Sequence, residues 1–141
     1  MSSITDAARQ VRDATGLPGG LQAARHAFEE MLAEIQAWQD PDSPLFTAFV
    51  MAAGYAADGR DAILFAPSRP WPSPQPGQVT AIRRPAEETA EQAAGALVAL
   101  CDVLISRLGQ AAASASGHDD REACREAAKS ARIVRDILAG G

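Results

Sequence analysis

The sequence is poor in the residues on which several classes of fold depend. Only 5% of its 141 residues are aromatic, whereas aromatic and β-branched side chains are enriched in β-sheets. It contains no CxxC pair, no zinc-ligand spacing, no glycine-rich phosphate loop and no recognisable pairing of a nucleophile with a base. These absences disfavour a sheet-based fold, and they give no ground for predicting a catalytic set, a metal site or a cofactor.

Positive charge and long apolar runs are also scarce. The net charge is −5, so the surface lacks the basic character that binds nucleic acids or anionic membranes. The longest uncharged, apolar-rich run covers residues 43–57, which is too short to span a bilayer. The N-terminal residues lack the apolar segment of a signal peptide. We therefore expect a cytoplasmic protein that binds neither nucleic acid nor membrane.

The two cysteines, Cys101 and Cys124, lie on consecutive predicted helices. In an antiparallel pair of those helices, Cys124 would face a position near residue 110. The helical rise then separates the two thiols by about 13 Å along the axis, which is well beyond the reach of a disulfide. We expect two free thiols that pack as small hydrophobic side chains, and this suits a reducing compartment.

Alanine, the strongest helix former, is the commonest residue. Apolar residues recur with helical spacing in five segments, residues 3–14, 21–39, 44–57, 84–115 and 119–139. The prediction is an all-α fold with one domain, residues 1–141. Its helices are expected to form a four-helix-bundle-like up-and-down arrangement with a short N-terminal helix.

The ends of these helices are predicted from their flanking residues. The glycine-rich residues 16–20 should end the first helix, and Asp58 with Gly59 should end the third. Ser43 should cap the third helix. Pro85 suits the first position of the fourth helix, and Asp119 or Asp120 should cap the fifth.

Within the third helix, the residues expected to face inward include Phe49, Val50 and Ala53. A long connection, residues 60–84, precedes the fourth helix and is predicted to be irregular. Its closely spaced prolines favour an extended, semi-rigid chain. Residues 62–66 form a short apolar run that suits either a helical turn or a strand paired with residues 79–82.

Arg69 and Trp71 lie among the prolines of this connection. A proline-rich segment with an indole is suited to docking in the aromatic groove of a protein partner as a polyproline II helix. A plain linker is the simpler interpretation of the same residues.

The fourth predicted helix is nearly apolar all round. Two adjacent apolar rows leave one narrow line of small or polar residues that includes Gly95, Ala99, Asp102 and Ser106. Such a helix is normally buried or packed against two neighbours. The excess apolar surface of residues 90–112 predicts a homodimer, with Gly95, Ala99 and Ser106 facing the partner. Asp102 is expected to be at least half buried beside an arginine or another hydrogen-bonding group.

A ligand site is the alternative. Aromatic walls with a few polar groups are typical of small-molecule sites. Such a set lies where the third helix meets the irregular segment, and it comprises Tyr55, Arg60, Asp61, Phe65 and Trp71. Asp102, the charged residue of the fourth helix, is the further candidate for this site.

Two functional classes remain open. The first is a small acidic helical interaction or structural module, homodimeric and adaptor- or chaperone-like, without catalytic activity. The second is a small-molecule-binding or metal-dependent hydrolytic protein with a site near Tyr55, Arg60, Asp61 and Asp102. The first is favoured because no catalytic set is visible. The fourth helix offers no pair of neighbouring carboxylates either, because Glu91, the nearest acidic residue to Asp102 on it, lies about 16 Å away along the axis.

Overall fold

A computed structural model describes residues 3–71, 85, 87 and 89–140. The described residues form α-helices and no strands, which confirms the all-α prediction. The helices are α1 (Ser3–Asp13), α2 (Gly16–Ala37), α3 (Phe46–Leu64), α4 (Ala90–Ser114) and α5 (His118–Leu138). Residues 72–84, which include most of the predicted irregular connection, lie outside the described part of the chain.

The four longer helices contact one another in a closed cycle. Helix α2 packs on α3, α3 on α5, α5 on α4 and α4 on α2, while α1 packs on α2 and α4. One continuous core lies between them, and α4 contributes Leu97, Leu100, Leu104 and Leu108 to it. The cycle of contacts is compatible with the predicted bundle, and the up-and-down course of its helices stays a prediction.

Helix α2 begins at Gly16 rather than at residue 21. Gly16 has a φ of 72°, a conformation that glycine adopts without strain, so the chain can turn between α1 and α2. Pro18 falls in the first turn, where its missing N–H costs no hydrogen bond. The first helix does end before Gly16, as predicted, but the prediction that the second helix starts at residue 21 was wrong.

Helix α3 ends at Leu64, so the prediction that it stops near Gly59 was also wrong. Gly59 lies inside the helix, where the ring of Phe28 from α2 packs over it. A Cβ at this position would lie 2.5 Å from Cε1 of Phe28. Gly59 is explained by this close approach of two helices rather than by a C-terminal cap. Because residues 60–64 are helical, a strand there paired with residues 79–82 is ruled out.

The buried face of α3 also differs from the predicted one. It comprises Phe49, Ala52, Ala56, Gly59 and Ile63, whereas Val50 is exposed. The N-terminal half of α3 is uncharged on every side and almost entirely apolar. Hydrophobic spacing alone could not identify its inward face.

The starts of the remaining helices are shifted from the predicted positions. Helix α4 begins at Ala90, with Thr89 rather than Pro85 at its start, and Thr89 Oγ1 accepts a hydrogen bond of 3.1 Å from the Gln92 amide. Helix α5 is capped by Gly117 rather than by an aspartate. Helix α3 is preceded by Leu45, whose amide donates to Ser43 Oγ at 3.2 Å.

Helix α4 provides a large part of the core, with nine buried residues. It is also long and apolar enough to cross a membrane, by length and composition alone. Its two apolar rows are largely used within the chain, because α1, α2 and α5 all pack against it. The apolar surplus on which the homodimer prediction was based is therefore mostly buried inside one molecule.

Candidate functional site

The residues after α3 are held against α5 by Asp120. The Ser68 amide donates to Asp120 Oδ1 at 3.0 Å, and Ser68 Oγ donates to Oδ2 at 2.6 Å. Asp120 is buried in the first turn of α5, where the helix dipole favours a carboxylate. Asp120 was predicted as a possible cap of α5, but in the structure it fixes the chain that leaves α3.

Trp71 is fixed against α2. Its Nε1 donates to the Leu64 carbonyl at 2.9 Å, and the guanidinium carbon of Arg25 lies 4.8 Å from the ring centroid. The indole is only 8% exposed. It would have to leave Arg25 before it could enter a partner's groove, so the contacts favour a structural role for this predicted partner-binding residue.

Arg69, the other residue predicted to bind a partner in this segment, turns back on α3. Its Nη1 donates to the carbonyls of Phe65 and Ala66, each at 3.2 Å. Carbonyls at the C-terminal end of a helix lack intrahelical partners, and arginine is a favourable donor to them. These two bonds hold Arg69 against the end of α3.

The structure does not bring the predicted ligand-binding residues together. Tyr55 is partly exposed on α3, and Arg60 Nε donates to the adjacent Asp61 at 3.2 Å. Trp71 lines a shallow cavity with Pro18 of α2. Asp102 lines a different cavity, between α1 and α4. A single pocket that contains all five residues is therefore not supported.

The prediction for Asp102 is half confirmed. Arg135 of α5 is its partner, with 3.4 Å between Nη1 and Oδ1, but the aspartate side chain is 57% exposed. The helices that bury α4 use its apolar rows, so the line of small residues faces outward. Gly95, Ala99 and Ser106 are accordingly exposed as well. The pKa of Arg135 is raised, mainly by the hydrogen bond from its side chain to Asp136 and further by the hydrogen bond to Asp102.

A cavity of about 310 Å³ lies where α1 meets α4. Its lining residues are Arg12, Asp102, Val103, Ser106, Arg107 and Gln110. Arg107 is anchored there, because its Nη2 donates to the Ala14 carbonyl at 2.6 Å. Nη1 of the same guanidinium makes only a long contact, 3.5 Å, with Gln110. Its Nε is buried without an acceptor in the described part of the chain.

A second feature is the outward side of α3, which we call the outer face of α3 and define by Thr47, Val50, Met51, Gly54 and Tyr55. All five are exposed, and Met51 shows half of its surface to solvent. None of them carries a formal charge at neutral pH. Large apolar side chains that are adjacent on a surface often mark an interaction site.

Sequence reasoning missed the cavity and the Ser68–Asp120 contact. Arg107 and Ala14 are separated by 93 positions, and Ser68 and Asp120 by 52. No local spacing pattern relates residues so far apart. The outer face of α3 did leave a signal, since uncharged residues cover all sides of that helix from Phe46 to Ala57.

The described residues contain no group of three or more histidine, cysteine or carboxylate side chains that could hold a metal ion. The carboxylate of the buried Glu34 accepts hydrogen bonds from the protein itself. Its Oε1 accepts hydrogen bonds from Trp38 Nε1 at 2.8 Å and from the Glu87 amide at 3.3 Å. It thereby ties a residue near the start of α4 to α2. The metal-dependent form of the ligand hypothesis gains no support from these residues.

Both cysteines are free and buried, as predicted. Burial raises the pKa of the Cys101 thiol from 9.0 to about 12, and the charge of Asp102 adds to this effect while Arg135 opposes it. Burial, and secondarily Asp120, raises the pKa of Cys124 to about 11. A thiolate is the reactive form of cysteine, so neither residue is suited to act as a nucleophile.

These thiols should make the fold less stable at alkaline pH. Below pH 9.0 the Cys101 thiol is neutral in both the folded and the unfolded chain. Above pH 9.0 the thiol loses its proton in the unfolded chain, whereas in the folded chain it keeps the proton up to its raised pKa of about 12. Between these values stability falls as pH rises, by about 1 kcal/mol from pH 9 to pH 10. Urea unfolding of the Cys101→Ala variant should show a smaller loss over that range. An equal loss of unfolding free energy in the parent chain and the variant would contradict the raised pKa of the Cys101 thiol.

Comparison of the chain with models of known families, with curated proteins and with solved structures found no match.

Proposed function

We propose that this protein is a small acidic helical interaction module, adaptor- or chaperone-like and without catalytic activity, that works as a homodimer through the outer face of α3. The observation that carries the proposal is the exposure of Val50, Met51 and Tyr55 on one side of a helix whose other side is already buried. The proposed interface is therefore the outer face of α3 and no longer the surface of α4, on which the sequence-based dimer prediction relied.

A second copy of the chain is the partner that this surface fits best. The outer face of α3 is uncharged, so a charged partner would gain no ion pair from it. An identical face supplies a matching apolar surface, and a two-fold axis makes the contact self-complementary. Gly54 lies in the middle of the face, and no other element among the described residues has an atom within 4 Å of where its Cβ would be. A second helix can therefore approach closely there.

The charges around this face favour antiparallel pairing of the two α3 helices. Asp58 is exposed just beyond Tyr55. Parallel pairing in register would set the two copies of Asp58 against each other, and like charges at such a distance repel. Antiparallel pairing about Met51 and Gly54 brings each Asp58 near the uncharged Thr47 of the other copy. The exposed side chains are few, so the dimer should be a weak one that exchanges with monomer.

The dimer is tested by sedimentation equilibrium over concentrations from about 1 to 500 µM, a range that covers weak interfaces. The parent chain should show a reversible monomer–dimer equilibrium. Met51→Glu should be monomeric throughout, because a carboxylate would be desolvated against apolar side chains. Met51 is half exposed, so the variant should keep its fold, which circular dichroism will report.

Ala99→Glu is the matched control, because it adds the same charge at an exposed position of α4. It should dimerise like the parent chain. A parent that stays monomeric over the whole range would exclude the homodimer. If Ala99→Glu dissociated the dimer while Met51→Glu left it intact, the interface would be on α4, as the sequence first indicated.

A further inference from the structure

The cavity between α1 and α4 has a charge that contrasts with that of the whole chain. The protein carries a net charge of −5, but this cavity is lined by two arginines, Arg12 and Arg107. Arg12 has no carboxylate within ion-pair distance among the described residues. Asp102, the one acidic residue in the lining, is paired with Arg135 on the side of α5. An excess of positive charge is therefore left in the cavity.

One donor of the cavity, Arg107, is also held in place. Arg107 is fixed by the 2.6 Å bond from Nη2 to the Ala14 carbonyl, so its guanidinium is oriented before any ligand arrives. Its Nη1 has only the 3.5 Å contact with Gln110, which a better acceptor could replace. Ser106 adds a hydroxyl from the adjacent position of α4. A donor fixed in this way binds an acceptor at a lower ordering cost than a free side chain.

We propose that this cavity binds a small free oxyanion, a phosphate or a compact carboxylate, between Arg12 of α1 and Arg107 of α4. Guanidinium groups match the geometry of both anions, because their N–H donors form paired hydrogen bonds to two oxygens. Ser106, which also lines the cavity, would donate to a third oxygen. The site is independent of the outer face of α3, so it does not depend on the proposed dimer.

The probe is inorganic phosphate, followed by amide chemical shifts in ¹⁵N-labelled protein at constant ionic strength. We expect saturable shifts confined to residues around the cavity, with a dissociation constant in the millimolar range, since the two charged contacts remain partly open to solvent. A parallel titration with succinate distinguishes the two ligand chemistries. Saturation by phosphate alone assigns the site to phosphate compounds, and saturation by succinate assigns it to carboxylates or to both. Shifts that stay linear for both probes would overturn the proposal.

Variants test the named contacts. Arg12→Gln should weaken phosphate binding about tenfold, because it removes one charge-assisted contact. Arg132→Gln, which removes the same charge from an exposed position of α5, should bind phosphate like the parent chain. Equal weakening in the two variants would mean that phosphate responds only to net charge, and this would also overturn the proposal.

Asp102→Asn supplies a test in the opposite direction. Removing the carboxylate takes away the one negative charge in the lining and leaves Arg135 without this partner. Phosphate should therefore bind severalfold more tightly, provided that the fold is unchanged by circular dichroism. Weaker binding in this variant would place the probe away from the two guanidinium groups and contradict the site.

Discussion

Replacing Gly59 with alanine should destabilise the protein by about 3 kcal/mol, although alanine is the better helix former by about 1 kcal/mol. The added Cβ would lie 2.5 Å from Cε1 and 2.7 Å from Cζ of Phe28, and 3.1 Å from Cβ of Ser130. Phe28 is fully buried, so its ring cannot move aside without displacing its own neighbours. Overpacking of a tight core costs about 1–3 kcal/mol or more. Urea unfolding followed by circular dichroism will measure the change.

Gly95→Ala is the matched control for Gly59→Ala. Gly95 also lies inside a long helix, but it is exposed, and in the described part of the chain no atom of another element is within 4 Å of where its Cβ would be. The same substitution there should stabilise the protein by about 0.5–1 kcal/mol. Combining Gly59→Ala with Phe28→Leu should recover part of the loss, because the two residues touch and their effects are then not additive. Equal effects at Gly59 and Gly95 would contradict the packing of Phe28 on α3.

Gly59 also shows where prediction from sequence fails. An Asp-Gly pair near the end of an apolar run is typical of a helix terminus. The glycine is instead required because the ring of Phe28, which is distant in the chain, packs over it. No local spacing pattern predicts that contact. The same reasoning applies to Gly16, which begins α2 although its pattern predicted the end of α1 and a second helix from residue 21. Glycine marks an unusual backbone requirement, but the sequence does not say which one.

The secondary structure of the long helices was predictable because it depends on local properties. Alanine content, the absence of proline and the apolar spacing of 3.6 residues all favour α4 and α5 independently of their neighbours. The choice of the buried face was predictable only where polar residues mark the opposite side. Helix α3 lacks such residues in its N-terminal half, and there Val50 was assigned to the wrong side.

The candidate sites were less accessible to prediction than the helices. Arg135 was anticipated as the kind of partner that Asp102 requires, because an aspartate among small residues needs a donor. The exposure of Asp102 was not anticipated, since that depends on which rows of α4 the other helices cover. The cavity at Arg12 and Arg107 depends on how α1 crosses α4. Tertiary packing creates such a site, and no single segment encodes it.

Trp71→Ala should lower the free energy of unfolding by about 3 kcal/mol, the usual cost of deleting a buried aromatic ring. Three contacts are lost together: the packing of an indole that is only 8% exposed, its 2.9 Å bond to the Leu64 carbonyl and its contact with Arg25. Trp71→Phe keeps most of the packing and should cost about 1 kcal/mol, the value of one hydrogen bond. Arg25→Lys keeps the charge and should cost less than either.

Fluorescence offers an independent measurement of the same contact. The chain has two tryptophans, Trp38 and Trp71, so a Trp38→Phe background isolates the emission of Trp71. That emission should be blue-shifted in the folded protein and should move to the red on unfolding, because the ring leaves an apolar site for water. Red emission in the folded state, together with a Trp71→Ala cost below about 0.5 kcal/mol as at an ordinary surface position, would show an indole that is free. Trp71 would then have no structural role, and the proline-rich segment would be available to a partner's aromatic groove.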